Sequence, residues 1–328
     1  MSEANTILEI NNLKTYFYTD KGVVPAVDDV SLKVKKGQIV GIVGESGCGK
    51  SMTSLSIMQL IAPPGKIAGG EIRFDQRNLV GISKQEMRSI RGNEISMIFQ
   101  EPMTSLNPVY TVGKQVAETL LLHNEKMSKA EAKQKVIEMF AMVGIPEPEK
   151  RYNVFPHQLS GGLRQRVMIA MALICRSKLL IADEPTTALD VTIEAQILKL
   201  MKNLQAEIDT SIIMITHNLG IVAEMCDYVY VMYAGKIMEQ ADVFELFDNP
   251  KHPYTEGLLK SIPRRDVQQN KSKGLYSIEG MVPNMLQLPR GCRFHPRCEY
   301  AVDTCREGEP ELVDLGNDHL VRCIKYNK

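Results

Sequence analysis

The sequence lacks an excess of charge of either sign and lacks any long hydrophobic run. Its 39 basic residues balance its 39 acidic residues, so electrostatics gives no reason to expect nucleic acid as the main partner. Its longest apolar stretches, such as residues 167–175, are far shorter than the roughly 20 residues that a membrane-spanning helix needs. Residues 1–5 contain neither a basic segment nor an apolar core. We therefore expect no secretory signal and a cytosolic location.

The composition is that of a globular protein of one or two domains, with 328 residues, 44% of them hydrophobic and 24% charged. The pattern contains no internal repeat. Its cysteines are unevenly distributed, because a group of them lies close to the C-terminus: Cys292, Cys298, Cys305 and Cys323. In a reducing compartment such a group indicates metal binding before it indicates disulfides.

Alternating apolar and polar residues over positions 7–43 predict antiparallel strands joined by turns, and Ile39–Val43 is predicted to be a buried strand. A glycine-rich loop follows that strand, and after the loop a helix is predicted over residues 52–61. Charged amphipathic runs between residues 100 and 176 predict a mostly helical insertion. Continuous apolar runs at 179–182 and 212–215 are typical of parallel strands buried on both faces, and residues 228–239 predict a hairpin.

A phosphate-binding loop is predicted between the buried strand and the first helix, where residues 44–51 read GESGCGKS. Glycines let successive N–H groups converge on phosphates, and the helix N-terminus adds favourable partial charge. We expect Lys50 to reach the β- and γ-phosphates and Ser51 to ligate Mg²⁺. The residues expected to bind the nucleotide are Gly44, Ser46, Gly47, Cys48, Gly49, Lys50, Ser51 and Met52. The alternative is an ordinary glycine-rich turn that caps a helix.

Two acidic residues, Asp183 and Glu184, follow the apolar strand at 179–182. At the carboxyl end of a strand beside a phosphate-binding loop, Asp183 can hold Mg²⁺ while Glu184 faces the γ-phosphate. We expect Glu184 to be the general base that polarises the attacking water. The alternative is that the two acids cap the helix that follows Pro185.

A second anion-binding helix terminus is predicted at residues 159–167, which read LSGGLRQRV. Ser160 is a good N-cap, and Gly161 and Gly162 permit close backbone approach. One γ-phosphate does not need two such termini from one subunit. We therefore expect this terminus to serve a nucleotide held by another subunit, so that two chains sandwich two ATP molecules. The alternative is a capped surface helix.

Together these segments resemble the ABC transporter ATPase family over about residues 7–250. Residues 44–51 resemble its Walker A loop, residues 159–163 its signature motif and residues 179–184 its Walker B strand. Leu163 stands where glutamine is usual in that family, and Met52 where threonine is frequent.

The resemblance also implies roles for four further residues. Gln100 would be the Q-loop glutamine that senses Mg²⁺ and the γ-phosphate, and His217 would be the switch histidine. The catalytic set would consist of Glu184, His217, Gln100 and Lys50. Asp190 would belong to the D-loop at residues 188–190. Phe17 would stack on adenine, with Tyr16 and Tyr18 as alternatives.

A narrower resemblance lies beyond residue 250. Residues 251–259 and 291–298 resemble the C-terminal extension of oligopeptide and dipeptide importer ATPases. This implies an ATP-hydrolysing subunit that energises import of di- or oligopeptides at the cytoplasmic face of the cell membrane, as a peripheral protein. Its implied partners are a second ABC ATPase in a heterodimer, two transmembrane permeases and, indirectly, an extracytoplasmic peptide-binding protein, with no nucleic acid.

Two alternative functions stay open. One is a soluble ABC ATPase that works on DNA or ribosomes without a permease, and the other is an importer of another small solute such as nickel. The first is disfavoured because no sustained heptads lie between Ser51 and Ser160, and because the chain holds one ATPase unit.

The four C-terminal cysteines are separated by five, six and seventeen residues, looser than the spacing of two to four typical of structural zinc sites. We expect a [4Fe-4S] cluster, in which each iron takes one thiolate, and the importer resemblance points the same way. Zinc is the alternative, and free or disulfide-bonded cysteines are the third possibility. Four arginines would offset the charge of a cluster: Arg293, Arg297, Arg306 and Arg322.

The predicted fold is α/β, with a P-loop NTPase (RecA-like) core, an antiparallel β subdomain, an α-helical insertion and a small irregular C-terminal domain that carries the cysteines. We place the antiparallel β and P-loop part of the core at residues 1–99 and the helical subdomain with the signature motif at 100–176. The remainder of the core is expected at 177–250, and a C-terminal regulatory or metal-cluster domain at 251–328.

Overall fold

The computed structural model describes residues 5–100, 105–187, 189–262 and 276–327 of the chain. Two compact units divide the chain, each made of separated stretches of sequence. We call them the P-loop unit (Leu8–Lys33, Ile39–Val80 and Ile215–Lys328) and the helical unit (Met1–Ile7, Val34–Gln38 and Gly81–Met214). Ala188 of the predicted D-loop and residues 1–4 lie outside the described residues. The domain boundaries at residues 99, 176 and 250 stay a prediction.

The P-loop unit contains a four-stranded sheet, in the order β2-β1-β4-β5. Strand β1 runs antiparallel to β4, with Leu8 opposite Phe74 and Phe17 opposite Gly65. Leu8 and Phe74 are fully buried, so this sheet presents one apolar face to the core. The strands are β1 (Thr6–Thr19), β2 (Gly22–Lys35), β4 (Gly65–Phe74) and β5 (Arg77–Asn78).

A second set of strands in the P-loop unit follows the order β3-β9-β10-β12-β11. Strand β3 is buried throughout and runs parallel to β9, with Val43 opposite Val231. Ala234 and Gly235 have φ values of 43° and 86° and form the turn of the β9–β10 hairpin, which confirms the hairpin prediction. The strands are β3 (Ile39–Val43), β9 (Tyr228–Tyr233), β10 (Lys236–Asp242), β11 (Val313–Asp314) and β12 (Leu320–Val321).

The helices of the P-loop unit are mostly short. The first follows β3 after the loop at residues 44–49, starts earlier than the predicted range and ends at Ile57. The helices are α1 (Lys50–Ile57), α8 (Leu219–Met225), α9 (Val243–Asp248), α10 (Pro253–Lys260) and α11 (Thr304–Glu307), with a 3₁₀ turn at His295–Arg297 and another at Ile324–Tyr326.

The helical unit has a strand pair β6–β7 that is parallel, with Ile95 opposite Leu179, and β8 lies next to β7. Helix α4 begins directly after Ser128, which forms a capping box with Glu131. The elements are α2 (Lys84–Ile90), β6 (Ile95–Ile98), α3 (Val112–His123), α4 (Lys129–Met142), α5 (Pro148–Arg151), a 3₁₀ turn at Pro156–Gln158, α6 (Gly161–Leu173), β7 (Leu179–Asp183), α7 (Val191–Ile208) and β8 (Ser211–Thr216), whose last residues belong to the P-loop unit.

Both units mix helices with strands, which confirms the predicted α/β class. Among the helices of the described ranges, none is both long enough and apolar enough to cross a bilayer.

An aromatic cluster in the P-loop unit packs the C-terminal residues against β9. It consists of Tyr233, Tyr254 and Phe294, with ring centroids 4.7 to 5.3 Å apart. Tyr233 and Tyr254 are fully buried. Large rings that meet at inclined angles add stability beyond the area they bury, so this cluster gives the C-terminal residues an apolar core.

A buried carboxylate ties the same residues to β10. Glu239 is 0% exposed, and its carboxylate accepts from the N–H groups of Lys251 and His252 at 2.6 and 2.9 Å. His319 Nε2 lies 2.8 Å from the same carboxylate, two residues before Val321, which pairs with Glu239 across β12 and β10. The hydrogen bond to Glu239 raises the pKa of His319, whereas burial lowers the pKa of His252 to about 4.

Replacement of His319 by glutamine should destabilise the chain more at about pH 5.5 than at about pH 8. Because the folded-state pKa of His319 is raised, its stabilising contribution is complete below the unfolded-state value of about 6.5 and is lost as pH rises through the folded-state value. We expect the loss of unfolding free energy to differ between the two pH values by on the order of 1 kcal/mol. Urea unfolding followed by far-UV circular dichroism measures it.

The matched control for this prediction is His157→Gln, which changes an exposed histidine of the helical unit. It should have the same small effect at both pH values. An equal loss for His319→Gln at both pH values would contradict the pairing with Glu239.

Candidate functional site

The phosphate-binding loop has a backbone that favours glycine at three of its positions. Gly44, Gly47 and Gly49 have φ values of 150°, 77° and 107°. A Cβ atom at Gly44 would lie 2.1 Å from the carbonyl oxygen of Met232, and one at Gly49 would lie 2.2 Å from that of Ala26. At Gly47 a Cβ atom would meet nothing within 4 Å. The loop is therefore closed by backbone on one side and open at Gly47.

Lys50 is folded back over this loop. The residue is 6% exposed, and its ammonium donates to the carbonyl oxygens of Gly44 at 2.7 Å and Glu45 at 3.0 Å. Neither acceptor carries a full charge, so the positive charge remains available to a phosphate group. Lys50 is also the first residue of α1, whose N-cap Gly49 offers no side-chain hydrogen bond. The first amides of the helix are thus left for an external acceptor.

The other predicted loop residues surround this centre. Ser46 is exposed, Ser51 and Met52 are half-buried, and Cys48 is buried. Burial raises the pKa of the Cys48 thiol, so it is a neutral packing group. The carbonyl of Cys48 accepts from the N–H of Gly235 at 2.8 Å, which fastens the loop to the β9–β10 turn.

Phe17 lies on the face of β1 that meets α1. Thr15, two residues earlier, forms a 2.7 Å hydrogen bond with Ser56 of α1, and side chains two apart share a face of a strand. Tyr16 faces the other way and donates to Asp28 at 2.6 Å. Tyr18 is 43% exposed and has the ammonium of Lys66 over its ring at 4.4 Å. Of the three aromatic residues, Phe17 is thus the one on the side of the phosphate-binding helix.

The helical unit brings together Gln100 and Glu184. Gln100 Nε2 donates to Glu184 Oε2 at 3.2 Å, and Thr187 Oγ1 donates to the same oxygen at 2.9 Å. Glu184 has φ of 47°, a left-handed conformation that is rare for residues other than glycine. Asp183, just before it, ends β7 and is 4% exposed. The two acids therefore stand at a strained turn on the carboxyl end of a buried strand.

Two residues near Glu184 are missed by sequence reasoning. Thr187 directly contacts the carboxylate, and Gln165 of α6 donates from Nε2 to the carbonyl of Pro185. Gln165 is 1% exposed, which is unusual for glutamine. The only signal in the sequence is that Gln165 lies at helical spacing from the apolar residues Met168, Ile169 and Ala172. The sequence does not indicate which group Gln165 contacts.

The predicted N-cap of α6 is confirmed at Ser160, whose hydroxyl accepts from the N–H of Leu163 at 3.4 Å. Gly161 is exposed, and a Cβ atom on Gly162 would lie 2.9 Å from Ile193 Cγ2. Asp190 caps α7 by accepting from the N–H of Ile193 at 3.0 Å. The signature motif and Asp190 therefore meet at the two helix starts within one unit.

His217 is exposed immediately after the end of β8 and belongs to the P-loop unit, as do Lys50 and Phe17. The helical unit contains the remaining predicted residues, namely Gln100, Ser160, Gly161, Gly162, Asp183, Glu184 and Asp190.

The residues of the loop fit the phosphate groups of a nucleoside triphosphate. The evidence is the glycine-only backbone at Gly44 and Gly49, the open face at Gly47 and the ammonium of Lys50 above the loop. Hydroxyl, amide and carboxylate oxygens are the ligands that Mg²⁺ prefers, and Ser51, Gln100 and Asp183 carry them.

The prediction of an iron–sulfur cluster is wrong, and so is its zinc alternative. Among the residues of the described ranges, which include Cys292, Cys298, Cys305 and Cys323, no group of three or more His, Cys, Asp or Glu side chains is arranged to hold a metal ion. The physical reason is placement, because spacing along the chain does not fix where the side chains lie in the fold. Burial also disfavours the thiolate form, since it raises the pKa of Cys292 to about 11 and also raises those of Cys298 and Cys323. A thiol must lose its proton to ligate a metal.

These cysteines are free thiols, and two of them, Cys292 and Cys305, are buried. The N–H of Cys292 donates to the carbonyl of Cys305 at 2.8 Å, so backbone contacts join their segments. The aromatic cluster and Glu239 hold the C-terminal residues against β9 and β10 instead.

Two protein families match the sequence. Residues 27–187 match the family described as ABC transporter, and residues 238–305 match the family described as Oligopeptide/dipeptide transporter, C-terminal region. The first match contains the phosphate-binding loop, the signature helix and Glu184. The second contains Tyr254, Phe294 and Glu239.

Individual relatives extend over nearly the whole chain. The oligopeptide transport ATP-binding protein AppD of Bacillus subtilis (strain 168) is 53% identical over 325 residues, which are 99% of this chain and 98% of AppD. OppD of Salmonella typhimurium (strain LT2), another oligopeptide transport ATP-binding protein, is 50% identical over 322 residues, which are 98% of this chain and 94% of OppD.

Among solved structures, the dimeric ATP-binding cassette MJ0796 in a post-hydrolysis state with ADP and Pi matches with a TM-score of 0.65 and 28% identity. The match covers 72% of this chain and 98% of that chain. The glycine-only phosphate loop, the strained glutamate after β7 and these similarities lead to one conclusion: the chain belongs to the ATP-hydrolysing ABC transporter family, in the group with an oligopeptide/dipeptide transporter C-terminal region.

Proposed function

We propose that this chain is the subunit that binds and hydrolyses ATP to energise an ABC importer of di- or oligopeptides. The observation that carries the proposal is the presence, in one chain, of a phosphate-binding loop of the ABC family and the C-terminal region of peptide transporters. Relatives such as AppD and OppD carry oligopeptide transport in their names.

The loop residues have the chemistry to hold the triphosphate. Amides of residues 44–51 and the ammonium of Lys50 would bind the phosphates, and Phe17 would stack on adenine. Ser51, Gln100 and Asp183 would hold Mg²⁺, which when bound neutralises charge on the phosphate oxygens. Hydroxyl, amide and carboxylate oxygens suit that ion.

Glu184 would act as the general base. Its Oε2 accepts from Gln100 and Thr187, so the carboxylate is held in one orientation and keeps acceptor capacity for a water proton. His217 would contact the γ-phosphate region, and Lys50 would stabilise charge there. Proton transfer to Glu184 would accompany attack of water on the γ-phosphorus, and the bond from that phosphorus to the bridging oxygen would break, so that ADP and phosphate leave.

Ser160, Gly161, Gly162 and Asp190 would act on the nucleotide of a partner subunit. The start of α6 carries amides and a capping serine, which is the chemistry of an anion site. The partner would be a second ABC ATPase, and the pair would sit on two permeases at the cytoplasmic face of the membrane. Peptides would reach those permeases through an extracytoplasmic binding protein.

Membrane association tests this assignment directly. The chain should sediment with membranes only when its permease subunits are co-expressed. Proteoliposomes that contain the assembled transporter should take up a labelled solute, and added oligopeptides should compete with that uptake. Sedimentation with ribosomes would instead favour the soluble ATPase. Competition by Ni²⁺ alone would favour the other importer class.

Glu184→Gln should lower the rate of ATP hydrolysis by at least about 100-fold, because the amide cannot take the proton of the attacking water. ATP binding should persist, and size-exclusion chromatography with ATP should reveal a trapped dimer. Phosphate release at saturating ATP measures the rate. Glu207→Gln, an exposed position on α7, is the matched control and should retain full turnover.

Lys50→Ala and His217→Ala separate binding from hydrolysis. Lys50→Ala should lose ATP binding itself, because the ammonium over the loop is removed. His217→Ala should reduce turnover more than affinity. If Glu184→Gln hydrolyses ATP at a near-normal rate, Glu184 is not the general base. That outcome would not change the conclusion that Lys50 binds the nucleotide.

Thr187→Val should lower kcat about threefold to tenfold with little change in KM for ATP. The substitution removes the hydroxyl that donates to Glu184 Oε2 at 2.9 Å and leaves the carboxylate less well oriented. Thr187→Ser keeps that hydroxyl and is the control. If both variants lose the same activity, the hydrogen bond is not the cause.

A further inference from the structure

A charged pair joins the C-terminal residues to the phosphate-binding loop. Arg297 donates from Nη1 to Glu45 Oε2 at 2.6 Å and from Nη2 to Glu45 Oε1 at 3.0 Å. Glu45 is the second residue of the loop, and the two partners are 252 residues apart in sequence. The side chain of Arg297 is 4% exposed and that of Glu45 is 29% exposed. Such a forked pair, largely shielded from water, fixes geometry as well as charge.

The backbone of Glu45 is fixed from the same side. Its N–H donates to the hydroxyl of Tyr254 at 2.9 Å. Tyr254 is fully buried in the aromatic cluster, so its hydroxyl has little freedom to move. Both the amide and the carboxylate of Glu45 are therefore bound by residues beyond position 250.

Arg297 is itself held rigidly. Its Nε donates to the carbonyl of Glu279 at 2.9 Å, and its Nη2 donates to that of Ile278 at 3.2 Å. Its guanidinium carbon lies 5.8 Å from the ring centre of Tyr233 and 6.0 Å from that of Phe294. The guanidinium is thus oriented before any ligand arrives.

A carboxylate in this loop is an electrostatic problem for nucleotide binding. The carbonyl of Glu45 accepts from Lys50 Nζ at 3.0 Å, so Glu45 adjoins the group expected to meet the phosphates. A negative side chain there repels a triphosphate unless it is neutralised and turned away. Arg297 neutralises this carboxylate and fixes its position, because its two hydrogen bonds use both carboxylate oxygens.

We propose that Arg297 is a positioning residue for the phosphate-binding loop, which neutralises Glu45 and holds the loop in the shape that accepts a nucleotide. Tyr254 fixes the backbone of the same residue. The inference rests on the proposed function, since it requires that the loop bind ATP. It assigns to the C-terminal residues a direct effect on nucleotide affinity.

The competing explanation is that Arg297 only stabilises the C-terminal residues through the carbonyls of Ile278 and Glu279. The two explanations differ in the role of the Glu45 charge. If Arg297 neutralises Glu45, removal of that charge compensates for loss of the arginine. If Arg297 is merely structural, it does not.

The test is a double-mutant cycle in the full chain with Mg-ADP affinity as the readout. Arg297→Met should weaken affinity about tenfold, because it leaves the Glu45 charge uncompensated. The double variant Glu45→Gln/Arg297→Met should bind within about twofold of Glu45→Gln alone. Isothermal titration calorimetry measures each affinity. Arg306→Met, an arginine with a 66% exposed side chain, is the control and should bind like the parent chain.

Each result decides between the explanations. An unchanged affinity for Arg297→Met, or equal weakening in the single and double variants, overturns the inference. If Arg297→Met does not fold, Arg297→Lys and Tyr254→Phe replace it, and each should raise KM for ATP with kcat unchanged. A fall in kcat alone would overturn the inference.

Lys50→Ala distinguishes this inference from the function on which it rests. If Lys50→Ala binds Mg-ADP like the parent chain, the loop is not the nucleotide site and the proposed function fails. If Lys50→Ala loses binding while the cycle shows no coupling, only the role of Arg297 fails.

Discussion

The phosphate-binding loop depends on two carbonyl groups that approach it too closely to permit a side chain. The carbonyl of Met232 leaves no room for a Cβ atom at Gly44, and that of Ala26 leaves none at Gly49. Both carbonyls belong to strands, so the sheets set the shape of the loop more than its own side chains do. The parallel pairing of buried β3 with β9 therefore places the carbonyl of Met232 against Gly44.

The turn at Glu184 is built on a different principle, because side chains hold it. A left-handed conformation outside glycine costs on the order of 1 kcal/mol or more and persists only where neighbours enforce it. The hydrogen bonds from Gln100 and Thr187 to the carboxylate, and from Gln165 to the next carbonyl, supply that enforcement. Since Gln165 lies on α6, the helix that begins in the signature motif, a shift of this helix would change the turn at Glu184, the residue proposed as the base.

The sequence predicts those features that depend on neighbours along the chain. Strand β3, the glycine loop, the Ser160 cap and the β9–β10 turn each follow from a few adjacent residues, and the structure contains all four. Contacts between distant residues are not predictable in this way. The bond from Gln165 to Pro185 spans 20 residues and the pair of Arg297 with Glu45 spans 252, and no spacing rule connects them.

The C-terminal cysteines and arginines show why the metal prediction failed. Spacing says which residues are near in sequence, but not which way their side chains point or how deeply they are buried. Cys292 is buried as a neutral thiol, while Arg297, expected to offset the charge of a cluster, reaches the carboxylate of Glu45 instead. An arginine close to thiols in sequence can have its charge partner elsewhere, because its long side chain reaches past its neighbours. The described residues beyond position 250 thus support the phosphate-binding loop through Arg297 and Tyr254, and they do not form an independent metal domain.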